Sequence, residues 1–139
     1  MTRLEHFAIY ARNLEALKDF YVEAMGLKVV RVGDGNPPGG YFLADDHGGA
    51  IEIIALPEGQ SNVNQRWVCH LAFWVDDVAA KRAELEQHGL VFEADTVADN
   101  DEIKTAFFND PEGNRCQIVW RRQRLCGSRE GEAPAEPHA

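Results

Sequence analysis

The segment His6-Phe7-Ala8-Ile9-Tyr10 returns as His70-Leu71-Ala72-Phe73-Trp74, 64 residues further on. Gly26-Leu27 returns as Gly89-Leu90 at a spacing of 63, and the stretch from Phe42 to Ile54 returns as Phe107 to Val119 at 65. Three ordered matches at nearly one spacing mark an internal duplication, and small drifts are what unequal loops produce. This constrains the fold more than any composition does. Whatever one copy forms, the other must form too, and the two must bury their apolar faces together in a chain of 139 residues, the size of one compact domain.

Each copy reads as βαβββ. A strand of alternating character comes first (Leu4 to Ala11; Val68 to Val75). An Asn or Asp then stands at an N-cap position, Asn13 in the first copy and Asp76 or Asp77 in the second. Leu14, Leu17, Tyr21 and Ala24 fall on one helical face and Gly26 ends the run. The second helix covers about Val78 to His88 and stops at Gly89. Three strands follow in each copy: Lys28 to Val32, Gly40 to Ala44 and Ala50 to Leu56, against Leu90 to Ala94, Lys104 to Asn109 and Arg115 to Trp120. The turns DDHGG and DPEGN carry the Asx and glycine chemistry of tight hairpins. The predicted class is therefore α+β. One domain spans 1–125, with modules at about 4–56 and 68–120 joined by a linker at 57–67. The tail 126–139 is rich in Gly, Ala, Pro and Glu, lacks an apolar pattern, and is expected to be disordered. GDGNPPGG at Gly33 is too rich in proline for a phosphate cradle and is followed by no helix.

Charge and cysteine content narrow the partners. Fourteen basic residues against 23 acidic ones give a net charge of −9, which disfavours nucleic acid and anionic membrane, both of which need a basic footprint. No apolar run approaches the ~20 residues of a membrane helix, and the N-terminus does not read as a secretory signal. Cys69, Cys116 and Cys126 are odd in number and lack CxxC spacing, so neither a disulfide framework nor a zinc finger is expected. A reduced, cytoplasmic protein follows as the expectation.

Side chains alternate across a strand, so His6, Ala8 and Tyr10 share one face while Phe7 and Ile9 take the other. His70, Ala72 and Trp74 oppose Cys69, Leu71 and Phe73 in the same way. In the last strands Glu52 and Ile54 oppose Ile51 and Ile53, and Gln117 and Val119 oppose Cys116 and Ile118. The fully apolar faces should pack under the helices. The faces bearing His6, Glu52, His70 and Gln117 are then left to line a concave sheet, at equivalent positions of the duplicated unit. Tyr10 and Trp74 share those faces, which suits a substrate pocket or plain core packing. Cys69 and Cys116 fall on the helix side as buried apolar residues. Asp110, Gly113 and Asn114 serve a hairpin turn, His47 and His88 suit solvent, and Arg121, Arg122 and Arg124 form a short basic strand end.

HFAIYARNLEALKDFYVEAMGLKVV, GGAIEIIAL, HLAFWVDDV and FFNDPEGNRCQIV together resemble the vicinal oxygen chelate superfamily. That superfamily includes glyoxalase I, extradiol dioxygenases, fosfomycin-resistance enzymes, methylmalonyl-CoA epimerase and bleomycin-binding proteins. The likeness covers about Leu4 to Trp120. It implies an open cup of sheet around one divalent metal, commonly completed by a second subunit in chains of this length, hence a homodimer. It also implies His6, Glu52 and His70 as ligands, with Gln117 where the family usually places glutamate in a GN-x-x-E pattern. An amide cannot serve as a base, although its carbonyl oxygen can coordinate. Glu52, the only carboxylate of the four, is then the candidate base.

Two imidazoles, a carboxylate and an amide suit Ni²⁺, Mn²⁺, Fe²⁺ or a catalytic Zn²⁺. The function this implies is a metal-dependent lyase or isomerase resembling glyoxalase I, acting on a small molecule with vicinal oxygens. An Fe²⁺ extradiol-type dioxygenase is the alternative enzyme, and a metal-free ligand-binding or drug-sequestering protein is the alternative of another class.

Overall fold

The computed structural model describes residues 5–60 and 70–123. The far part of the expected linker, Cys69, Arg124, Cys126 and the tail lie outside the described residues. The first module contains β1 (Phe7–Ala11), α1 (Leu14–Glu23), β2 (Lys28–Val32), β3 (Gly40–Ala44) and β4 (Ala50–Ala55). The second contains β5 (Leu71–Trp74), α2 (Val78–Gln87), β6 (Ala98–Asp99), β7 (Ile103–Asn109) and β8 (Arg115–Arg121). Each module folds into a four-stranded sheet, in the orders β1-β4-β3-β2 and β5-β8-β7-β6. In both sheets the first strand runs parallel to the last, and the remaining neighbours are antiparallel.

The helices start and stop where local chemistry dictates. Asn13 Oδ1 accepts the Ala16 N–H at 3.1 Å, and Asp77 Oδ1 accepts that of Ala80 at 3.0 Å, so Asp77 rather than Asp76 is the second N-cap. Gly89, at φ +87°, ends α2 in a Schellman arrangement. Its N–H donates to Glu86 O at 3.0 Å and that of Leu90 to Leu85 O at 3.2 Å. A Cβ there would be strained by backbone conformation alone.

Burial follows the alternation. Ile9, Leu43, Ile51 and Ile53 lie under Leu14, Leu17 and Tyr21 of α1, while Ala106, Phe108, Cys116 and Ile118 gather with Leu85 of α2 and Phe92. Each such leucine, isoleucine or phenylalanine side chain contributes about 1.5–3 kcal/mol by leaving water. Phe20, Met25, Leu71 and Phe73 border both clusters, which makes the two modules one structural unit. Tyr21, fully buried, crosses the boundary to bond Asp110, and Lys81 Nζ returns the contact to Ala24 O at 2.7 Å.

Two expectations are corrected. The stretch Leu90 to Ala94 does not form a full strand: Phe92 bridges Phe108, and the Glu93 N–H donates to Phe107 O. Residues 94–97 then loop out opposite Ala106 before pairing resumes as β6. The Glu93 carboxylate holds the Thr96 hydroxyl and the Arg115 guanidinium, which stabilises that excursion. Phe7 has the parity of Ile9 yet is 50% exposed. It faces a groove lined by Met25, Leu27 and Leu71 instead of being covered by α1.

Candidate functional site

The parallel pairing of β1 with β4 aligns Ala8 with Glu52, and the antiparallel pairing of β4 with β3 aligns Glu52 with Phe42. His6, just before β1, lies within reach: its Nε2 is 3.4 Å from Glu52 Oε2, with side-chain exposures of 32% and 27%. Its Nδ1 is 2.9 Å from Glu5 Oε1. Both ring nitrogens thus face carboxylate oxygens, which only accept; with the proton on Nδ1 toward Glu5, Nε2 offers its lone pair on the Glu52 side. The His6 ring also meets Phe42 edge to face, with centroids 5.2 Å apart.

The second module repeats the arrangement. Ala72 aligns with Gln117, and Gln117 with Phe107. The His70 ring meets Phe107 edge to face at 5.3 Å. Gln117, only 8% exposed, donates from Nε2 to Thr105 Oγ1 at 2.7 Å, and that hydroxyl donates onward to Ile118 O at 2.9 Å. Because the Thr105 proton is committed to the carbonyl, its oxygen can only accept, which fixes the amide nitrogen toward Thr105. The Gln117 carbonyl oxygen is thereby left as the available donor atom. Arg115 lies over the Phe107 ring, 3.9 Å from its centroid, and is held by two hydrogen bonds to Glu93 at 2.8 and 3.1 Å.

The fold thus brings His6 to Glu52, and sets His70 and Gln117 at the matching positions of the other sheet. It does not assemble all of them in one chain: among the described residues no three His, Cys, Asp or Glu side chains are grouped to hold a metal ion. His6 with Glu52 and His70 with Gln117 therefore stand as two separate groups. As donors they suit a divalent cation. Two ligand atoms about 2.1 Å from one ion and at right angles lie about 3 Å apart, close to the His6–Glu52 spacing. The Glu5 carboxylate contacts the second ring nitrogen of His6, the place from which an outer carboxylate would orient a metal-binding imidazole.

Trp74 lines a groove of about 550 Å³ with Phe7, Met25, Leu71 and Phe73. Tyr10 is 43% exposed and does not line it. Cys116 is fully buried, and desolvation, with Asp110 adding to it, pushes its thiol up to about 12, so it is no nucleophile. His88 is the C-cap of α2. Glu5, Phe42, Phe107 and Thr105 did not emerge from sequence reasoning as site residues. The repeat alignment already paired Phe42 with Phe107, and that match was their available signal.

Two βαβββ modules, each carrying a histidine before its first strand and an oxygen donor on its last, define a cup-forming protein of the glyoxalase type. Residues 3–118 match the family described as Glyoxalase/Bleomycin resistance protein/Dioxygenase superfamily, and the chain belongs to that superfamily, the vicinal oxygen chelate proteins. It is 30% identical over 120 residues to the uncharacterized protein YaeR of Escherichia coli (strain K12), covering 81% of this chain and 92% of that one. Its fold is similar to that of the trypanothione-dependent glyoxalase I of Leishmania major, with a TM-score of 0.69, 22% identity and 86% of each chain covered. It is also similar to that of TnmS3, an antibiotic-binding protein from Streptomyces sp. CB03234. There the TM-score is 0.67 at 21% identity, over 85% of this chain and 94% of that one.

Proposed function

We propose that the protein is a metal-dependent lyase or isomerase acting on a small molecule with vicinal oxygens. Its site would be completed when two copies pair the His6–Glu52 half of one with the His70–Gln117 half of the other. The observation that carries this reading is the convergence of His6 Nε2 and Glu52 Oε2 at 3.4 Å, with His70 and Gln117 at the matching positions of the second sheet. Pairing of copies is supported by β1 and β5, each at one edge of its sheet, and by Phe7, Tyr10 and Trp74, which are exposed on them. His6, Glu52, His70 and the Gln117 carbonyl would hold the ion, which when bound supplies polarisation of the substrate's oxygens.

The chain's own residues would do the rest. Glu52 accepts a proton at its carboxylate, since Gln117 cannot. Glu5 holds the His6 ring in the tautomer that presents Nε2. Phe42 and Phe107 give each half an apolar floor that limits water around the reacting groups.

A second reading, a metal-free binding cleft, is favoured by one feature. A protonated His6 between Glu5 and Glu52 would satisfy all three side chains with no ion present. Mixing two variants decides between them. His6→Ala and His70→Ala should each lose metal alone. Mixed together they should regain about a quarter of the parental sites, because a mixed dimer keeps one pair of intact halves. No recovery on mixing rules out the shared site, and parental protein that takes up no Ni²⁺, Mn²⁺, Fe²⁺ or Zn²⁺ leaves the metal-free cleft.

A further inference from the structure

The row of residues across the first sheet does not stop at Phe42. Register carries it one strand further, so that Ala8, Glu52, Phe42 and Arg31 stand side by side on β1, β4, β3 and β2. Arg31 reaches this row through an irregularity. Lys28 pairs with Ala44 and Val29 with Leu43, but then Arg31, not Val30, pairs with Phe42. A regular ladder would turn Val30 to the Glu52 face and Arg31 away from it. The bulge reverses this, and bulges beside active sites commonly re-aim a side chain in this way. Val30, displaced, is 61% exposed. The Arg31 guanidinium lies over the Phe42 ring, 6.0 Å from its centroid, on the same ring whose face or edge meets His6.

The matching row of the second sheet ends differently. Ala72, Gln117 and Phe107 are followed by Glu93, whose N–H bonds Phe107 O. Glu93 is neutralised by Arg115 in a nearly buried pair, with exposures of 16% and 6%. Arg31 has no carboxylate partner among the described residues, and its strand is exposed throughout. One half of the duplicated cup therefore ends its row in a closed ion pair, and the other in an open cation. In a chain of net charge −9 an anion is repelled except where a fixed cation faces it.

From this, we infer that Arg31 is the specificity-determining residue for an anionic group of the substrate, a carboxylate or phosphate, held about 10 Å from the Glu52 strand position, two strand spacings away. This rests on the reading of His6 and Glu52 as the reacting end. The substrate class is then a small acid whose vicinal oxygens sit at one end and whose anionic group sits at the other. The planar guanidinium, on the Phe42 side of the row, carries an N–H fork suited to two parallel hydrogen bonds to such a group.

The test uses a matched pair of probes with the same vicinal oxygens, catechol and 3,4-dihydroxyphenylacetate, titrated calorimetrically into the full chain with and without Ni²⁺. The parent should prefer the anionic probe. Arg31→Met should weaken that probe by about tenfold, the range of a charge-assisted hydrogen bond to a partly exposed group, while catechol binding stays the same. Arg31→Lys should lie between, keeping charge without the fork. A parent with no preference for the anionic probe, including one that binds neither, overturns the inference, as does an Arg31→Met variant that binds both as the parent does. Ni²⁺ uptake measured on the same samples separates the two readings. Without uptake the metal reading fails, while anion preference in the metal-free protein still decides the role of Arg31.

Discussion

The hydroxyl of Tyr21 on α1 donates to Asp110 Oδ2 in the β7–β8 turn at 2.8 Å, joining the two modules through a buried polar contact. Asp110 also accepts from the backbone N–H groups of Glu112 and Asn114 and from the Asn114 amide, each at 2.9 Å. Burial raises its pKa, and the Asn114 and Tyr21 hydrogen bonds pull it back. At the position of Tyr21 the second module has Leu85, so the duplication has diverged here into an asymmetric latch.

Tyr21→Phe should lower stability at pH 7 by about 1–2 kcal/mol, read by chemical denaturation. The sign with pH follows from the raised folded pKa. The folded state holds the Asp110 proton over a window above the unfolded value of about 3.9, so stability falls as pH rises through that window. Removing the Tyr21 donor raises the folded pKa further. The penalty should therefore shrink toward pH 4, and a penalty equal at both pH values would show that Asp110 does not feel the lost donor.

Thr105→Val removes the acceptor that orients the Gln117 amide and leaves a nearly buried Nε2 without a partner. The expected cost is about 1–3 kcal/mol in stability, with metal affinity reduced roughly 10- to 100-fold, as when an outer-sphere partner is lost. Thr105→Ser should restore both. Metal affinity that survives Thr105→Val intact would mean that Gln117 does not coordinate.

Gln117→Glu places a second carboxylate at a position only 8% exposed. Without metal it should destabilise the protein at neutral pH, since desolvation penalises the charged form, and the Thr105 hydroxyl must turn from Ile118 O to donate to it. With a divalent ion present it should bind more tightly than the parent. The gain in melting temperature on adding Ni²⁺ should thus be larger in the variant. An equal gain in both proteins would place residue 117 outside the metal's reach.

Much of the fold was legible because period and punctuation are local properties. Lys28–Val32 and Gly40–Ala44 form strands with the bounds that alternation and the flanking glycines suggested, and Asn13 caps α1 as its position implied. Leu90 to Ala94 was misread because its apolar character comes from Phe92 packing on Phe108, with ring centroids 5.1 Å apart, and not from continuous pairing. The exposure of Phe7 was invisible for a related reason: parity assigns a face, but not whether a helix reaches over it.

The sequence by itself determined the duplication, the βαβββ order and the placing of His6, Glu52, His70 and Gln117 at matching positions of the two sheets, because side-chain alternation and repeat spacing are written residue by residue. Tertiary structure decided the relations that need a neighbouring strand. These are the approach of His6 to Glu52, the Thr105 clamp on Gln117, the bulge that turns Arg31 into the Glu52 row, and the separation of the two half-sites within one chain. Each depends on register between segments distant in sequence, and one residue of slip would send every side chain of a strand to its other face.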